Sequence, residues 1–475
     1  MSMPRLPALV AILLLAAPLR AQVPEIEYAP RRAAVTARLP DSAVLVALGA
    51  REPREDFLVF VQTPRFWYLA GYLEPDASLL IVKRGARITT TLFVLPRDPA
   101  TEAWTGARLG PAGAAQRTGL LARPATEFRG ALDSALGGGK TLYAVADLDA
   151  SAVLGPDDQL MESLRRAHPG LQVVNAGEIV DSLRSRHSPA ELALVRRAID
   201  ITVEAQKEAM RMIAPGKNEF EVQATIEYTY RRNGAERPGF STIVGSGPNA
   251  TSLHYTEDDR PMAAGELVVM DIGASWRGYT ADVTRTVPVS GSFTAEQRAL
   301  YQVVRDAQAA AERLAVLGGR ATALDDTANA VLAAGLAKLG LIEGADAVYD
   351  APRGGCRRRL AAGCSQLSLY YNHGLGHGIG LEVHDPTVWE YAPFSIQPGA
   401  AFTIEPGLYI RANALEILPD TPRNRALIAK IRAAFERYKD LGIRIEDDYF
   451  ATESGVERIS LAPREISEIE AAMKD

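Results

Sequence analysis

Between Gly265 and Val289 the chain reads GELVVMDIGASWRGYTADVTRTVPV, two runs rich in β-branched residues on either side of Arg277 and Gly278. Valine, isoleucine, threonine and aromatic side chains suit a pleated, half-buried surface, and a pair ending in glycine suits a tight turn, so a β-hairpin is expected here. A two-residue turn sets the register: position 271 faces 284, and 273 faces 282. Asp271 and Asp282 then share a face as diagonal neighbours, with Cα atoms about 7 to 8 Å apart. Two carboxylates so placed can grip a pair of cations about 3.5 to 4 Å from one another. Solvated strand ends would accommodate either aspartate without any chemistry. That explanation is weak for Asp271, which follows the apolar run Leu267 to Met270 and would be an unpaired charge in a core unless a cation compensates it.

A second stretch, NHGLGHGIGLEVHDP from Asn372 to Pro386, holds three of the six histidines in the chain. His373, His377 and His384 stand among glycines at 374, 376, 378 and 380. Each glycine costs a helix about 0.8 to 1 kcal/mol, so a loop or tight strand is expected, with backbone free to crowd a ligand. Imidazole titrates near neutrality and is the commonest metal ligand. On this window alone, three histidines satisfied by backbone carbonyls account for the pattern equally well. Two glutamates add to it: Glu405 ends the apolar run AAFTI before Pro406 and Gly407, and Glu446 follows Ile443 and Ile445 in GIRIEDD. With the two aspartates and one histidine they make five hard or borderline ligands.

In chain order, Asp271, Asp282, His377, Glu405 and Glu446, with HGLGHGIGLEVHD, IEPGLYI and GIRIED around the last three, resemble the ligand set of the pita-bread metallopeptidases, peptidase family M24. FVQTPRFWYLAGYLEPDASLLIV, Phe60 to Val82, and LFVLPRDPATEAWTGARLG, Leu92 to Gly110, are similar to the accessory domain of the Xaa-Pro aminopeptidases within that group. The resemblance implies an α+β protein. A smaller α/β creatinase-like N-terminal domain would precede a pita-bread catalytic domain, whose two pseudo-symmetric αββ halves curve into one sheet with the ligands inside.

It also implies two divalent ions, manganese first and cobalt, iron or zinc as alternatives, to suit four carboxylates and one imidazole. Asp271 would chelate one ion, Asp282 and Glu446 would bridge both, and His377 and Glu405 would hold the other. Water activated between the ions attacks the carbonyl preceding proline. By the same resemblance Glu405 shuttles the proton to the leaving nitrogen, His254 in SLHYTEDD sits near the scissile group, and His373 and His384 hydrogen-bond the substrate and its oxyanion. Without the resemblance, His254 reads as a buried structural histidine. Arg444, two residues before Glu446 and so on the same strand face, is a candidate for supporting a ligand from behind or meeting a substrate carboxylate. Tyr409 is a candidate for lining the pocket.

Met1 to Ala21 carries Arg5, an apolar run from Ala8 to Ala17, and LRA before Gln22, the pattern of a signal peptide. The run is shorter than the roughly 20 residues a membrane helix needs. An exported protein, periplasmic or secreted, is therefore expected, with no membrane partner. Loss of the leader's two arginines takes the formal charge from −6 to about −8, which disfavours nucleic acid.

The rest is ample for two domains, each with its own core. The first is expected at 25–185, with strands at Ala43–Leu48, Phe57–Val61, Ser78–Val82, Thr89–Val94 and Thr141–Val145 and helices near Ala112–Leu121 and Asp158–His168. It holds no catalytic constellation: His168 and His187 read as surface or boundary residues, and Trp67 as packing. Trp104 also reads as packing, although the resemblance allows it to reach a neighbouring subunit's cleft in a homodimer or homotetramer.

The second domain is expected at 188–475, entered by a capping box of Ser188 and Glu191 with Pro189 at the first helical position and a helix to about Ala214. Asn218 with Glu221 caps another helix, and Thr294 with Gln297 a third, to about Leu317. Cys356 and Cys364, separated by RRRLAAG, are expected to close a small disulfide loop, since two thiols alone lack the other ligands of a structural zinc site. An insertion at 411–441 departs from the family pattern. Thr421 and Pro422 start a helix in it with Leu427, Ile431 and Tyr438 on one face, closed by Gly442, and it reads equally as a lid, a dimer contact or an embellishment.

Three functions follow from these residues. The leading one is release of the first residue from peptides with proline second. An Xaa-Pro dipeptidase, or prolidase, would use the same ligands, and a metal-free binding protein on this scaffold is disfavoured because all five ligands are present. A methionine aminopeptidase is disfavoured by the large first domain and by export.

Overall fold

The computed structural model describes residues 23–55, 57–137, 139–148 and 154–474, so the expected signal peptide lies outside it. The first domain is built on a mixed six-stranded sheet. Across it run Leu121–Pro124, Arg87–Val94, Ser78–Arg84, Val44–Leu48, Thr141–Val145 and Gln172–Asn175. The central strand VLVAL is buried at every position, as expected of a strand covered on both faces.

Of the expected strands, Phe57–Val61 does not form. The run is irregular, and Phe57, Leu58 and Val59 are exposed. Its composition suits a strand, but here the chain crosses from the end of Val44–Leu48 to the helix Pro64–Ala70 and passes outside the ladder, paired with no strand among the described residues. Helices Tyr28–Ala37, Phe128–Leu136 and Gly177–Arg184 are additional to those expected. At eight to ten residues they are too short for periodicity to reveal.

The second domain repeats one unit. Helices Pro189–Met212 and Glu219–Arg232 lead to the antiparallel pair Leu267–Ile272 and Val283–Pro288; helices Ala295–Glu312 and Ala321–Leu339 lead to Ala401–Ile404 and Asp447–Thr452. The capping boxes at Ser188, Asn218 and Thr294 are all present. The third helix stops at Glu312 rather than near Leu317, where the Leu314 amide turns back only three residues to the Ala311 carbonyl and Gly318 follows at φ 79°.

In the first hairpin Asp271 faces Thr284, the expected register. Arg277 and Gly278 have φ of 51° and 81°, the left-handed pair that a tight two-residue hairpin turn requires. The ladder breaks at Gly273, where a Cβ would lie 1.8 Å from the Ala281 carbonyl, and resumes with Ser275 opposite Thr280. The two halves of the domain are joined by Glu446 N–H to the Thr284 carbonyl (3.1 Å) and Arg444 N–H to Thr286 Oγ1 (3.0 Å).

The domains share a core. Ile379, Leu381, Tyr279 and Ala281 from the second pack with Val35, Phe66 and Leu69 from the first. The indole of Trp67 lies so close over the hairpin tip that a Cβ on Gly278 would come within 1.9 Å of it.

Cys356 and Cys364 are disulfide-bonded. The insertion helix runs Pro422–Tyr438 and buries Leu427, Ile431, Phe435 and Tyr438. Gly442 does not close it: Asp440 takes the positive φ, and Gly442 lies in a strand where a Cβ would meet the Ala250 carbonyl at 1.9 Å. The insertion docks on the disulfide hairpin through Asp350, which accepts from Thr421 Oγ1 and Arg423 at 2.6 Å each, while Asn424 donates to its carbonyl at 2.8 Å.

Candidate active site

The hairpin and the second half of the sheet bring the expected ligands into one buried pocket. His377 Nε2 lies 3.5 Å from Asp282 Oδ2, 3.6 Å from Glu405 Oε1 and 3.8 Å from Glu446 Oε1. Ligand atoms of Asp282, His377 and Glu446 all fall within 4.8 Å of one another. Asp271 stands at the edge of this group, one of its oxygens held by Arg444.

Burial pushes the carboxyls of Asp282 and Glu446 well above the ordinary range, each reinforced by neighbouring carboxylates, and pushes Glu405 up to about 8. Burial works on Asp271 in the same direction, but the Arg444 guanidinium together with hydrogen bonds from Asp282 and Thr284 outweighs it and holds that carboxyl below its ordinary value. His377 is pushed down to about 4 by burial and is a neutral imidazole at physiological pH.

Asp271 Oδ1, Asp282 Oδ1 and Glu446 Oε1 are buried with no hydrogen-bond partner. Unpaired buried carboxylate oxygens are costly, and three of them, Glu446 Oε1 lying 3.8 Å from the neutral His377 imidazole, fit divalent cations.

Arg444 explains the wall behind the ligands. It is buried, donates to Tyr409 Oη at 2.8 Å and to Thr284 Oγ1 at 3.2 Å, and grips Asp271. A guanidinium only donates, so the Tyr409 oxygen accepts from it and sends its own proton to His373 Nε2 at 2.8 Å. His373 Nδ1–H then points at the Gly374 carbonyl, 2.8 Å away, with Glu405 Oε2 at 3.4 Å. Burial and the nearby Arg444 charge push His373 down to about 3, so it stays neutral in this relay. The structure thus places Arg444 and Tyr409 behind the expected ligands, and both nitrogens of His373 against protein groups.

His384 is exposed, its ring edge-on to His377 at 4.4 Å between centroids. His254 follows Leu253, whose carbonyl accepts from Arg444 at 3.3 Å, which puts its loop against the site. Buried Glu219 pins the same loop through Ser246, Tyr255 and the Arg260 amide.

A model of metallopeptidase family M24 matches residues 193–453, and one of the aminopeptidase P N-terminal domain matches residues 28–143. A Xaa-Pro aminopeptidase of Haemophilus influenzae is 33% identical, over 95% of this chain and 98% of that protein. The chain belongs to the Xaa-Pro aminopeptidases of family M24. Another Xaa-Pro aminopeptidase, from Escherichia coli, is 32% identical over 94% of this chain and 97% of its own. Among solved structures, aminopeptidase P from E. coli with the inhibitor Pro-Leu superposes with a TM-score of 0.79 at 30% identity, covering 95% of this chain and 99% of that one. A zinc-substituted form of the E. coli enzyme in complex with product reaches a TM-score of 0.78.

Family membership makes this a metallopeptidase that uses divalent metal, and it directs attention to residues the sequence reading missed. Thr284 Oγ1 donates to Glu446 Oε2 at 2.7 Å. Asp448 Oδ2 accepts from the Asp282 amide at 3.2 Å. Arg285, wholly buried, donates to the Glu446 carbonyl at 2.6 Å and to Asp447 Oδ1 at 2.7 Å. The only readable sign of this layer is the doublet Asp447–Asp448 after the expected ligand Glu446, two carboxylates where one strand end needs none.

Proposed function

We propose that the chain is an exported Xaa-Pro aminopeptidase that releases the N-terminal residue from peptides with proline in second position, with two divalent ions held by Asp271, Asp282, His377, Glu405 and Glu446. One observation carries the reading: His377 Nε2 lies within 3.8 Å of three carboxylates, among buried oxygens without protein partners. Near full-length similarity to proteins named Xaa-Pro aminopeptidases supports the substrate class. Four carboxylates to one imidazole favour manganese, with cobalt, iron and zinc as alternatives. When bound, such ions acidify a water and take up developing negative charge.

The chain's own groups do the rest. Glu405, beside both His373 and His377, accepts the proton of the attacking water and passes it to the proline nitrogen, which leaves as a secondary amine and needs one. The exposed ring of His384 offers a donor to substrate from the open side, and His254 approaches from the Glu219-pinned loop. Trp104, 81% exposed on the accessory domain, suits contact with another subunit's cleft in a dimer or tetramer. The leader pattern at 1–21 supports export to the periplasm or medium.

The test is digestion of an Xaa-Pro dipeptide beside a longer Xaa-Pro-Pro peptide, with and without added manganese. Manganese-dependent release of the first residue from the longer peptide is expected. Cleavage of the dipeptide alone would replace the reading with prolidase, and no cleavage of either would end it.

A further inference from the structure

We infer that Arg184, a residue of the accessory domain, is a positioning residue for the loop that presents His384 to substrate. The inference rests on the peptidase reading above and assigns the accessory domain a part in the chemistry beyond covering the cleft.

Arg184 ends the last helix of that domain, Gly177–Arg184, and is only 2% exposed. Its guanidinium crosses to the catalytic domain, where it donates to Glu382 Oε2 at 2.7 Å and to Asp385 Oδ1. On its own side it meets Asp181 Oδ1 at 3.4 Å, and Arg65 holds Asp181 in turn at 2.9 and 2.6 Å. Asp385 is the residue after His384. Its carboxylate is buried, accepts from the Glu382 amide at 3.1 Å, and faces His187 Nε2 at 3.7 Å.

The loop is a tight one. The Asp385 amide donates to the Gly378 carbonyl at 2.9 Å and the Gly380 amide to the Glu382 carbonyl at 3.1 Å. A Cβ on Gly380 would lie 2.6 Å from both Asp385 Oδ2 and His187 Nε2, so backbone presses directly on that pair. The Gly380 carbonyl accepts from Thr280, two residues from Asp282, at 2.7 Å.

His384 itself is exposed and has no hydrogen bond to any described residue. Its placement beside His377 is therefore set by the backbone of this loop. The loop carries two carboxylates, at 382 and 385, that repel one another unless a cation sits between them. Arg184 is that cation, and it is anchored from the other domain. Removing it leaves Asp385 buried beside a like charge, and the turn that fixes His384 loses its clamp.

Four full-length proteins test this: wild type, Arg184→Met, Arg184→Lys and His384→Ala, each loaded with zinc and assayed on an Xaa-Pro-Yaa peptide. The wild type, Arg184→Met and Arg184→Lys proteins are also labelled at histidine for NMR. With six histidines in the sequence, the His384 signal is assigned by its loss in His384→Ala. Arg184→Met is expected to lower kcat about tenfold or more with zinc content unchanged and KM less affected, and to move the His384 signal while that of His373 stays. Should the methionine variant fail to fold, Arg184→Lys, which keeps the charge but not the forked contact, is expected to show both effects in smaller measure. A His384 signal or a kcat that matches wild type in the folded variant would overturn the inference. Absence of cleavage by wild type would strike at the peptidase reading instead, leaving the NMR result to decide the clamp.

Discussion

The guanidinium of Arg444 closes on the carboxylate of Asp271, two buried charges drawn from opposite halves of the catalytic sheet. The pairing occupies one oxygen of Asp271 and leaves the other unpartnered. Arg444→Met should therefore free a ligand to turn away or protonate, lowering kcat/KM about 10- to 100-fold and weakening metal affinity. Arg444→Lys should be nearly as damaging, because one ammonium cannot serve Asp271, Thr284 and Tyr409 together. Steady-state kinetics across a metal titration measures both.

Asp282→Asn separates folding from turnover. In the metal-free protein Asp282 is held well above its ordinary range by burial and by its carboxylate neighbours, so an uncharged amide costs the fold nothing there. Turnover should fall to background and metal stoichiometry should drop, while the melting temperature of the metal-free variant is no lower than that of metal-free wild type. Calorimetry paired with the peptide assay checks this.

Stability of the metal-free protein should depend on pH with a definite sign. Glu405 sits at about 8, and Asp282 and Glu446 are also raised, against about 4 in an unfolded chain. The folded state then binds more protons than the unfolded state between those values, so this contribution is complete below about pH 4 and is lost as pH rises toward about 8. Asp271, lowered by Arg444, contributes in the opposite sense below that window, and His373 and His377, pushed down to about 3 and about 4, oppose the carboxyls only up to their ordinary value near 6.5, so above that the carboxyls set the slope. Cations replace the protons. The gap in melting temperature between metal-loaded and metal-free protein should widen from about pH 6 to about pH 8. A gap that narrows would contradict the carboxylate cluster.

The clip Cys356–Cys364 spans a sequence separation of 8. Closing so short a loop restricts the unfolded chain by about 2 to 3 kcal/mol at most. Changing both cysteines to serine should lower the unfolding free energy by that order without changing metal content, as urea unfolding of oxidised and variant proteins would show.

The hairpin register is legible where local rules suffice. A two-residue turn at Arg277 and Gly278 determines which residue faces which along the hairpin, so the relation of Asp271 to Asp282 follows from counting. The capping boxes at Ser188, Asn218 and Thr294 are likewise complete within four residues. What stayed hidden are polar residues whose partners lie far along the chain. Arg285 meets Asp447 across 162 positions, and Arg184 meets Glu382 across 198. In sequence each looks like an ordinary solvated arginine. Phe57–Val61 failed for the converse reason: strand-like composition says nothing of whether a neighbouring strand is within reach. Gly442 reads in sequence as the end of the helix before it, whereas in the fold it lets the strand pass against the Ala250 carbonyl.

Trp67 resting on Gly278 carries a last consequence. The bend that brings Asp271 and Asp282 onto one face is roofed by an indole from the other domain, with no room even for a methyl group between them. A fragment begun at Ser188 would expose that bend and the apolar residues beside it to water, so the catalytic half is not a detachable module. Any attempt to shrink this enzyme must redesign the seam as well as cut the chain.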